Sequence, residues 1–271
     1  MSAPSRSSVL SVRSSGMAPI VAPIAVLVTV LVIWQILVVR LKISPVILPG
    51  PTSVIQAVIR IRGELLMSSF RTALAALTGL LASTLAGTLT AFLFSQSLIV
   101  RRALYPYAVL LQTVPIIAIA PIVIVSLGRG FLSISVIACV ISIFPVITNT
   151  TTGLLQIDHN LLDFFRLHRA AWWQVLLKLR LPSALPYLLA GVRIAGGSAI
   201  VGAIVGEFFV GSAQPGLGAL IQRKTASLAL DELYAAVIAS TLLGTIVFGT
   251  ISACGEQILR RFFGMSLSGI R

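Results

Sequence analysis

Few residues in this chain have side chains that could do chemistry. Cys139 and Cys254 each lie inside an apolar run with no second Cys or His at ligand spacing. Both are interpreted as small buried apolar residues rather than as a disulfide or a metal site. His159 and His168 share one polar segment, and their spacing does not suit zinc. No phosphate-binding G-x-x-x-x-G-K-[S/T] loop and no nucleophile–base pair stands out, so the sequence predicts a chain that is not itself an enzyme.

The composition places the chain in the membrane class. Charged residues make up 10% of its 271 residues and hydrophobic residues 57%, whereas soluble domains carry about 25% charged residues. The net charge is +13, but the basic residues are scattered between apolar runs and form no stripe with interleaved aromatic residues. We therefore expect no nucleic-acid partner, and we attribute the basic residues to loops that flank spans in a lipid bilayer.

Six apolar runs are long enough to cross a bilayer, which takes about 20 predominantly apolar residues. They cover residues 19–39, 70–94, 103–127, 131–150, 183–210 and 233–255. The distribution of Lys and Arg weakly favours cytoplasmic N- and C-termini. The sequence predicts an all-α polytopic membrane protein, with a transmembrane domain at 19–262 between cytoplasmic tails at 1–18 and 263–271.

The N-terminus has a competing interpretation. Arg6 and Arg13 precede the first apolar run, as in a cleaved signal peptide. The run is too long for the apolar core of such a peptide, and no small-residue cleavage site follows it. We therefore predict an uncleaved first span.

The third apolar run is interrupted by prolines, and Pro115 and Pro121 stand six residues apart in it. Each proline removes a backbone donor and tends to kink a helix. Broken helices are common beside the translocation paths of transporters, although a merely bent structural helix is the alternative. Ser198 and Glu207 in the fifth run are further candidates for the path, while Glu207 could equally hydrogen-bond a neighbouring helix end.

Small residues recur every four positions in the second and fifth runs. Such stripes let helices approach closely in lipid, and they could serve packing within the subunit, which we prefer, or a contact between two copies. They comprise Ala75, Gly79, Ser83, Gly87 and Ala91 in the second run and Ser198, Gly202 and Gly206 in the fifth.

A polar island separates the fourth and fifth runs, with the sequence DFFRLHRAAWWQVLLKLRLPSALP at residues 163–186. Bulky residues recur in it at helical spacing, namely Leu161, Leu162, Phe165, His168 and Trp172. Asp158, Asp163, Arg166 and Arg169 mark its polar side. An interfacial helix on lipid headgroups and a rigid knob that docks in a groove of a partner protein both fit this composition.

Residues 163–182 resemble the EAA loop of ABC-importer permeases. That loop begins with Glu-Ala-Ala, continues with three residues and a Gly, and reaches a Leu-Pro pair about a dozen residues later. The Glu-Ala-Ala positions are taken by Asp163, Phe164 and Phe165, and the glycine position by Arg169. The stretch that follows is matched by Ala170, Ala171, Trp173 and Gln174, and the final pair by Leu181 and Pro182. ALPYLLAGVRIA, VGAIVGEF, LPGPTSVIQA and PGLGALIQ are similar to the branch that serves nitrate, sulfonate, taurine and related solutes. TVPIIAIAP most resembles permeases for the pyrimidine precursor of thiamine or for riboflavin. The resemblance spans residues 20–262.

The chain departs from the family pattern at three positions of the loop. Phe164 and Phe165 replace two alanines, and Arg169 replaces the glycine. The loop is therefore bulkier than usual, and the groove of the partner ATPase is expected to be adapted to it, or coupling is weakened.

The resemblance implies the type I importer fold in the inner membrane of the cell. Two permease subunits, commonly identical, would form the path, a solute-binding protein would dock outside, and ATP would act through a cytoplasmic ATPase, with no cofactor or metal bound by this chain. The coupling loop would cover residues 153–182, and its ATPase-coupling residues would be Leu161, Asp163, Phe164, Phe165, Arg166, His168, Arg169, Ala170, Ala171 and Trp172. An ion-gradient-driven secondary transporter is the alternative, but Glu207 is the only acid within a predicted span and no internal repeat is evident.

Overall fold

The computed structural model describes residues 18–211 and 215–263, and all regular secondary structure in this part of the chain is helical, without strands. Its α-helices are α1 (Ala18–Arg40), α2 (Pro51–Arg60), α3 (Arg62–Gln96), α4 (Leu98–Thr113), α5 (Ile116–Leu127), α6 (Phe131–Leu155), α7 (His159–Leu167), α8 (Trp172–Val175), α9 (Leu181–Val210), α10 (Leu217–Ala226) and α11 (Leu230–Phe263). A π-helical turn, Leu176–Arg180, joins α8 to α9 without a break.

Five helices of the described residues are long and apolar enough to cross a membrane, which confirms an all-α polytopic membrane protein. They contain the predicted runs at 19–39, 70–94, 131–150, 183–210 and 233–255. The third run does not form one helix, because α4 and α5 are separated by Val114 and Pro115, both in extended conformation. Of the predicted tails, only Ala18 and Phe263 lie within the described residues, and both are helical.

Helix α6 lies in the centre of the bundle, between α3 and α9. A Cβ atom added at Gly79 of α3 would lie 2.6 Å from the Cβ of Ala138, and one added at Gly202 of α9 would lie 2.7 Å from the Cα of Ala138. The three backbones can come this close only because both glycines lack a side chain. All five small residues of the predicted stripe in α3 are buried, which confirms that this stripe serves packing within the subunit.

Charged residues tie four helices together at the end of the bundle opposite α7. Arg60 of α2 contacts Asp231 at 2.6 Å and Glu232 at 2.9 Å, both in the first turn of α11. Lys224 of α10 lies 2.5 Å from Glu232 and 3.3 Å from Glu64 of α3. The hydrogen bond to Glu232 raises the pKa of the Lys224 ammonium, so this cluster stays charged at neutral pH.

Helix α1 lies at the edge of the bundle. Its apolar side chains are mostly exposed, and the ring of Trp34 lies 5.8 Å from that of Tyr234 in α11. Gln35 accepts a hydrogen bond from the backbone nitrogen of Thr52 at the start of α2. Cys254 is also exposed, so its predicted burial was wrong, whereas Cys139 is partly buried.

Candidate functional site

The predicted coupling loop contains α7, a helix of nine residues. The Asp158 side chain accepts a hydrogen bond of 2.9 Å from the backbone nitrogen of Asn160 and so caps the helix. Asp163 and Arg166 form an exposed ion pair of 3.2 Å on one side of it. No residue of α7 whose burial is described is buried, so the helix is a projecting element that packs little against its own subunit.

The end of α7 depends on Arg169. Its backbone nitrogen donates to the carbonyl of Arg166 at 2.9 Å, and that of Ala170 donates to the carbonyl of Phe165 at 3.0 Å. This pair of bonds is the Schellman motif, whose penultimate residue is left-handed and is usually glycine. Arg169 has φ +48°, so the arginine that stands at the family's glycine position adopts the conformation that a glycine adopts without strain.

One side of α7 exposes apolar side chains. The side chains of Leu161, Phe164 and Leu167 are 48%, 55% and 83% exposed, and their spacing of three residues puts them on one side of the helix. Leu162 and Phe165 are only partly exposed. The surface offered to a partner is therefore centred on Phe164, one residue from the Phe165 that the periodicity favoured.

Leu167 was missed by the sequence analysis, although it is the most exposed of the three apolar residues. Its spacing from Leu161 and Phe164 could have identified it. His168 turns back on the helix, because its Nδ1 lies 2.9 Å from the carbonyl oxygen of Phe164 and its ring lies 4.3 Å from the Phe164 ring. His168 thus supports the position of Phe164.

Trp172 does not lie on the face of α7, so its predicted place on that face was wrong. Ala170 and Ala171 lie in the turn that follows the left-handed Arg169, and Trp172 opens α8 in a new direction. The Trp172 indole packs edge-on against Phe92 of α3 with ring centroids 6.4 Å apart. Arg180, at the end of the π-helical turn, donates to the carbonyl of Ser95 at 3.3 Å. The loop is therefore fastened to the end of α3 before it continues into α9.

A cavity of about 410 Å³ lies beside the break between α4 and α5, bounded also by α6 and α9. Its polar side chains include Gln112 and Ser198, and its apolar wall includes Val114, Phe144 and Ile194. None of the described residues that line it is charged. Because α8, the π-helical turn and α9 form one continuous helix, the segment that follows α7 leads directly to the wall of this cavity.

The four predicted path residues fall in different places. Ser198 lines the cavity and Pro115 forms the break beside it. Pro121 lies within α5 and is not among the residues that line the cavity. Glu207 lies away from the cavity, near the opposite end of α9 from the loop.

Glu207 joins three helices. Its side chain is 2% exposed, its two carboxylate oxygens lie 2.8 and 2.9 Å from the hydroxyl of Thr72 in α3, and Oε2 accepts from the backbone nitrogen of Gly218 at 2.9 Å. The backbone nitrogen of Leu217 donates to the Thr72 hydroxyl at 2.9 Å. Glu207 and Thr72 thus satisfy two backbone donors at the N-terminus of α10, where negative charge is favoured. This geometry corresponds to the second of the two roles considered for Glu207, a bond to a neighbouring helix end.

The chain matches a known protein family over most of its length. Residues 83–262 match the model of the binding-protein-dependent transport system inner membrane component. The matched segment includes the broken helix, the coupling loop and Glu207.

Relatives with named transport roles match at similar identity. A probable ABC transporter permease protein of Haemophilus influenzae is 33% identical over 241 residues, which is 89% of this chain and 96% of that protein. The formylaminopyrimidine transport permease protein ThiX of Halalkalibacterium halodurans is 32% identical, over 84% of this chain and 90% of that protein. The riboflavin transport system permease protein RibX of Chloroflexus aurantiacus is 32% identical, over 59% of each chain. Because the family model covers well over half of the chain and two of these relatives align over most of their own length, this protein belongs to the family of binding-protein-dependent transport system inner membrane components, the permease subunits of ABC transporters.

Proposed function

We propose that two copies of this chain form the translocation path of an ATP-driven importer for a neutral, planar, nitrogen-containing heterocycle. A solute-binding protein delivers the solute to the outer face, at the end of the bundle that holds Lys224 and Glu232. A cytoplasmic ATPase binds α7, and both chain termini lie in the cytoplasm. The chain itself hydrolyses no ATP.

The observation that carries this proposal is the connection from α7 to the cavity. Leu161, Phe164 and Leu167 expose apolar surface on a helix that makes little contact with its own subunit. Such a surface suits the groove of another protein, as in helix-in-groove recognition. Helices α8 and α9 then form one continuous path from that groove to Ser198 in the cavity wall. Closure of an ATPase dimer on α7 would therefore move the cavity wall directly, which is the basis of alternating access.

The lining of the cavity supports this solute class. An anion in a site of low polarity needs a positive partner, and the lining holds none. The Gln112 amide can donate to and accept from a ring nitrogen or carbonyl, Ser198 adds a hydroxyl, and Phe144 offers an aromatic face for stacking. These groups suit a formylaminopyrimidine or a flavin better than a sulfonate or nitrate, and two of the relatives are named for such heterocycles.

An ion-driven carrier is the competing function, and it would need a carboxylate able to bind and release an ion within the membrane. Glu207 is the only acid in the predicted spans, and its carboxylate is hydrogen-bonded to Thr72 and Gly218. Release of these bonds would leave the first turn of α10 unsatisfied. The geometry therefore favours the ATP-driven importer.

Uptake by cells that express the chain with its ATPase and binding protein tests the proposal. Radiolabelled formylaminopyrimidine and riboflavin are compared with taurine, and Leu161→Asp and Phe164→Asp are compared with Gln257→Asp, an exposed residue near the C-terminal end of α11. We expect uptake of a heterocycle, dependent on ATP, that is lost in the two α7 variants and kept in the control. Taurine uptake would overturn the solute class. Loss of uptake when a protonophore dissipates the proton gradient at constant ATP would favour the ion-driven carrier.

The orientation is tested by thiol labelling. In a background with Cys139→Ala and Cys254→Ala, the variant Leu167→Cys is treated with a membrane-impermeant maleimide. We expect labelling in inverted vesicles and none in right-side-out vesicles. Labelling of right-side-out vesicles would place α7 outside the cell and overturn the coupling role.

A further inference from the structure

A second cavity, of about 390 Å³, lies between the start of α4 and the end of α6. It is separate from the cavity at Ser198, and none of the described residues is shared between the two. Because α3 ends at Gln96, which is bonded to Trp172, and α4 begins two residues later, this cavity opens on the same face of the bundle as the coupling loop.

The rim of this cavity is basic. Arg101 and Arg102 line it, and neither guanidinium forms an ion pair with a carboxylate in the described part of the chain. The described lining residues include no acid. Two adjacent guanidinium groups without a counter-charge form a site for a phosphate, which arginine binds with two parallel hydrogen bonds.

Hydroxyl groups line the same cavity as the two arginines. Thr148 and Thr152 line the cavity but donate to backbone carbonyls within α6, at 3.0 and 2.9 Å. The hydroxyl of Thr151, whose side chain is 4% exposed, is buried without a hydrogen-bond partner among the described residues. A buried hydroxyl that lacks a partner is costly. A ligand oxygen in this cavity would give the Thr151 hydroxyl an acceptor.

The surroundings of the cavity are apolar. Leu98, Ile99 and Leu104 of α4 are 49%, 80% and 48% exposed beside the two arginines, and Pro106 and Leu155 belong to the cavity wall. A ligand that fills the whole site thus carries an anionic head and a hydrocarbon part. Free phosphate would leave the apolar part of the site unused.

We propose that this cavity binds the phosphate headgroup of an anionic phospholipid, with the acyl chains along the exposed apolar side of α4. Anionic lipids are abundant on the cytoplasmic leaflet, and basic residues next to a span are attracted to them. The bound lipid would link α4 to α6 at the end of the bundle where the coupling loop is attached. This inference depends on the position of the chain in a membrane and not on the identity of the solute.

Native mass spectrometry of the full-length protein released from nanodiscs tests the proposal. Nanodiscs of phosphatidylcholine with and without phosphatidylglycerol are compared for the wild-type chain, for Arg101→Gln/Arg102→Gln and for Arg62→Gln/Arg129→Gln, which removes two charges at the opposite end. We expect the wild-type chain and the control to retain phosphatidylglycerol, and the first variant to retain at least about tenfold less, because loss of a charge-assisted hydrogen bond to a phosphate weakens binding about tenfold or more. Equal retention in all three proteins would overturn the proposal.

Two further experiments test free phosphate and the partner ATPase as alternative occupants of the cavity. Inorganic phosphate added to phosphatidylcholine nanodiscs should not raise the thermal unfolding temperature, and a rise equal to that given by phosphatidylglycerol would assign the site to free phosphate instead. If the arginine variant binds lipid normally but loses its ATPase, the arginines contact protein and the proposal is wrong. Should the glutamine variant fail to fold, Arg101→Lys/Arg102→Lys and Thr151→Val take its place. We expect both to retain an intermediate amount of phosphatidylglycerol. Retention equal to that of the wild-type chain would contradict the site.

Discussion

The indole Nε1 of Trp172 donates a hydrogen bond of 3.0 Å to Oε1 of Gln96, the last residue of α3. Trp172 is also the first residue of α8, which continues through the π-helical turn into α9. Trp172 therefore connects the predicted coupling loop to α3 and α9, the two helices between which α6 lies. A movement of α7 would reach α3 through Trp172 and α9 through the backbone.

Loss of this hydrogen bond should weaken coupling. Gln96→Leu and Trp172→Phe each remove one partner, and we expect each to lower the solute transported per ATP hydrolysed. A double-mutant cycle should give an interaction of about 1 kcal/mol, typical of a hydrogen bond between neutral groups. Transport and ATP hydrolysis are measured on the reconstituted complex.

Trp173→Phe is the matched control, because the Trp173 side chain is 54% exposed and none of the described residues accepts a hydrogen bond from its indole. Trp172→Asp, which also loses the contact with Phe92, should abolish uptake at normal membrane levels. Normal coupling in Gln96→Leu together with Trp172→Phe would show that the contact is not used.

The left-handed conformation of Arg169 predicts opposite effects for two substitutions. Arg169→Gly should stabilise the end of α7 by up to about 1 kcal/mol, and Arg169→Val should destabilise it by about 1–2 kcal/mol, because φ near +48° is strained for a β-branched residue. Both variants lose the guanidinium, so the difference between them reports the backbone alone. Amide hydrogen exchange in the loop measures it.

Solute uptake by the Arg169 variants tests the role of the Arg169 charge. If the guanidinium contacts the ATPase, Arg169→Gly and Arg169→Val should both lose uptake, and Arg169→Asp should abolish it. Equal hydrogen exchange in the glycine and valine variants would contradict the strained conformation.

The sequence predicted the spans well and the loop less well, for a physical reason. Length and hydropathy are summed over about 20 residues, so small local effects do not change them. The third run shows the limit, since it contains Pro106, Pro115 and Pro121 and the helix is broken only at Pro115. Pro106 and Pro121 are accommodated inside helices, and the choice among them depends on which neighbours satisfy the freed carbonyls.

Inside the loop, single residues decide the direction of the chain. The helical period was continued through Trp172, whereas the left-handed Arg169 ends α7 before it and redirects the chain. An arginine gives no sequence signal for this conformation, and only the glycine at this position of the family pattern could have indicated it. The partners of Glu207 were likewise out of reach, because Thr72 lies 135 residues away in the sequence.

Glu207 should be needed for stability more than for solute recognition. Glu207→Leu leaves the backbone nitrogen of Gly218 and the Thr72 hydroxyl without partners, and it should cost about 1–3 kcal/mol. Glu207→Gln keeps an acceptor and should cost less. Thermal unfolding in detergent is measured beside Glu256→Gln, which removes a partly exposed carboxylate paired with Arg260 on α11. A changed KM for uptake in Glu207→Gln at unchanged unfolding temperature would instead place Glu207 in the path.

The close approach of α9 to α6 predicts different tolerances for two glycines of the same helix. A Cβ atom at Gly202 would lie 2.7 Å from the Cα of Ala138, whereas one at Gly197 meets nothing within 4 Å. Gly202→Ala should therefore destabilise the protein by about 1–3 kcal/mol, because neither backbone can move without separating the helices. Gly197→Ala should be neutral or slightly stabilising, since alanine restricts the unfolded chain and suits a helix better than glycine.

The two alanine variants differ by five positions on one helix, so a general effect of alanine in α9 would appear in both. Unfolding temperature and the yield of folded protein in detergent are compared with those of the wild-type chain. Equal stability of the two variants would show that α6 and α9 can separate at no cost. In that case the close contact at Ala138 would not be what holds the cavity wall of α9 in place.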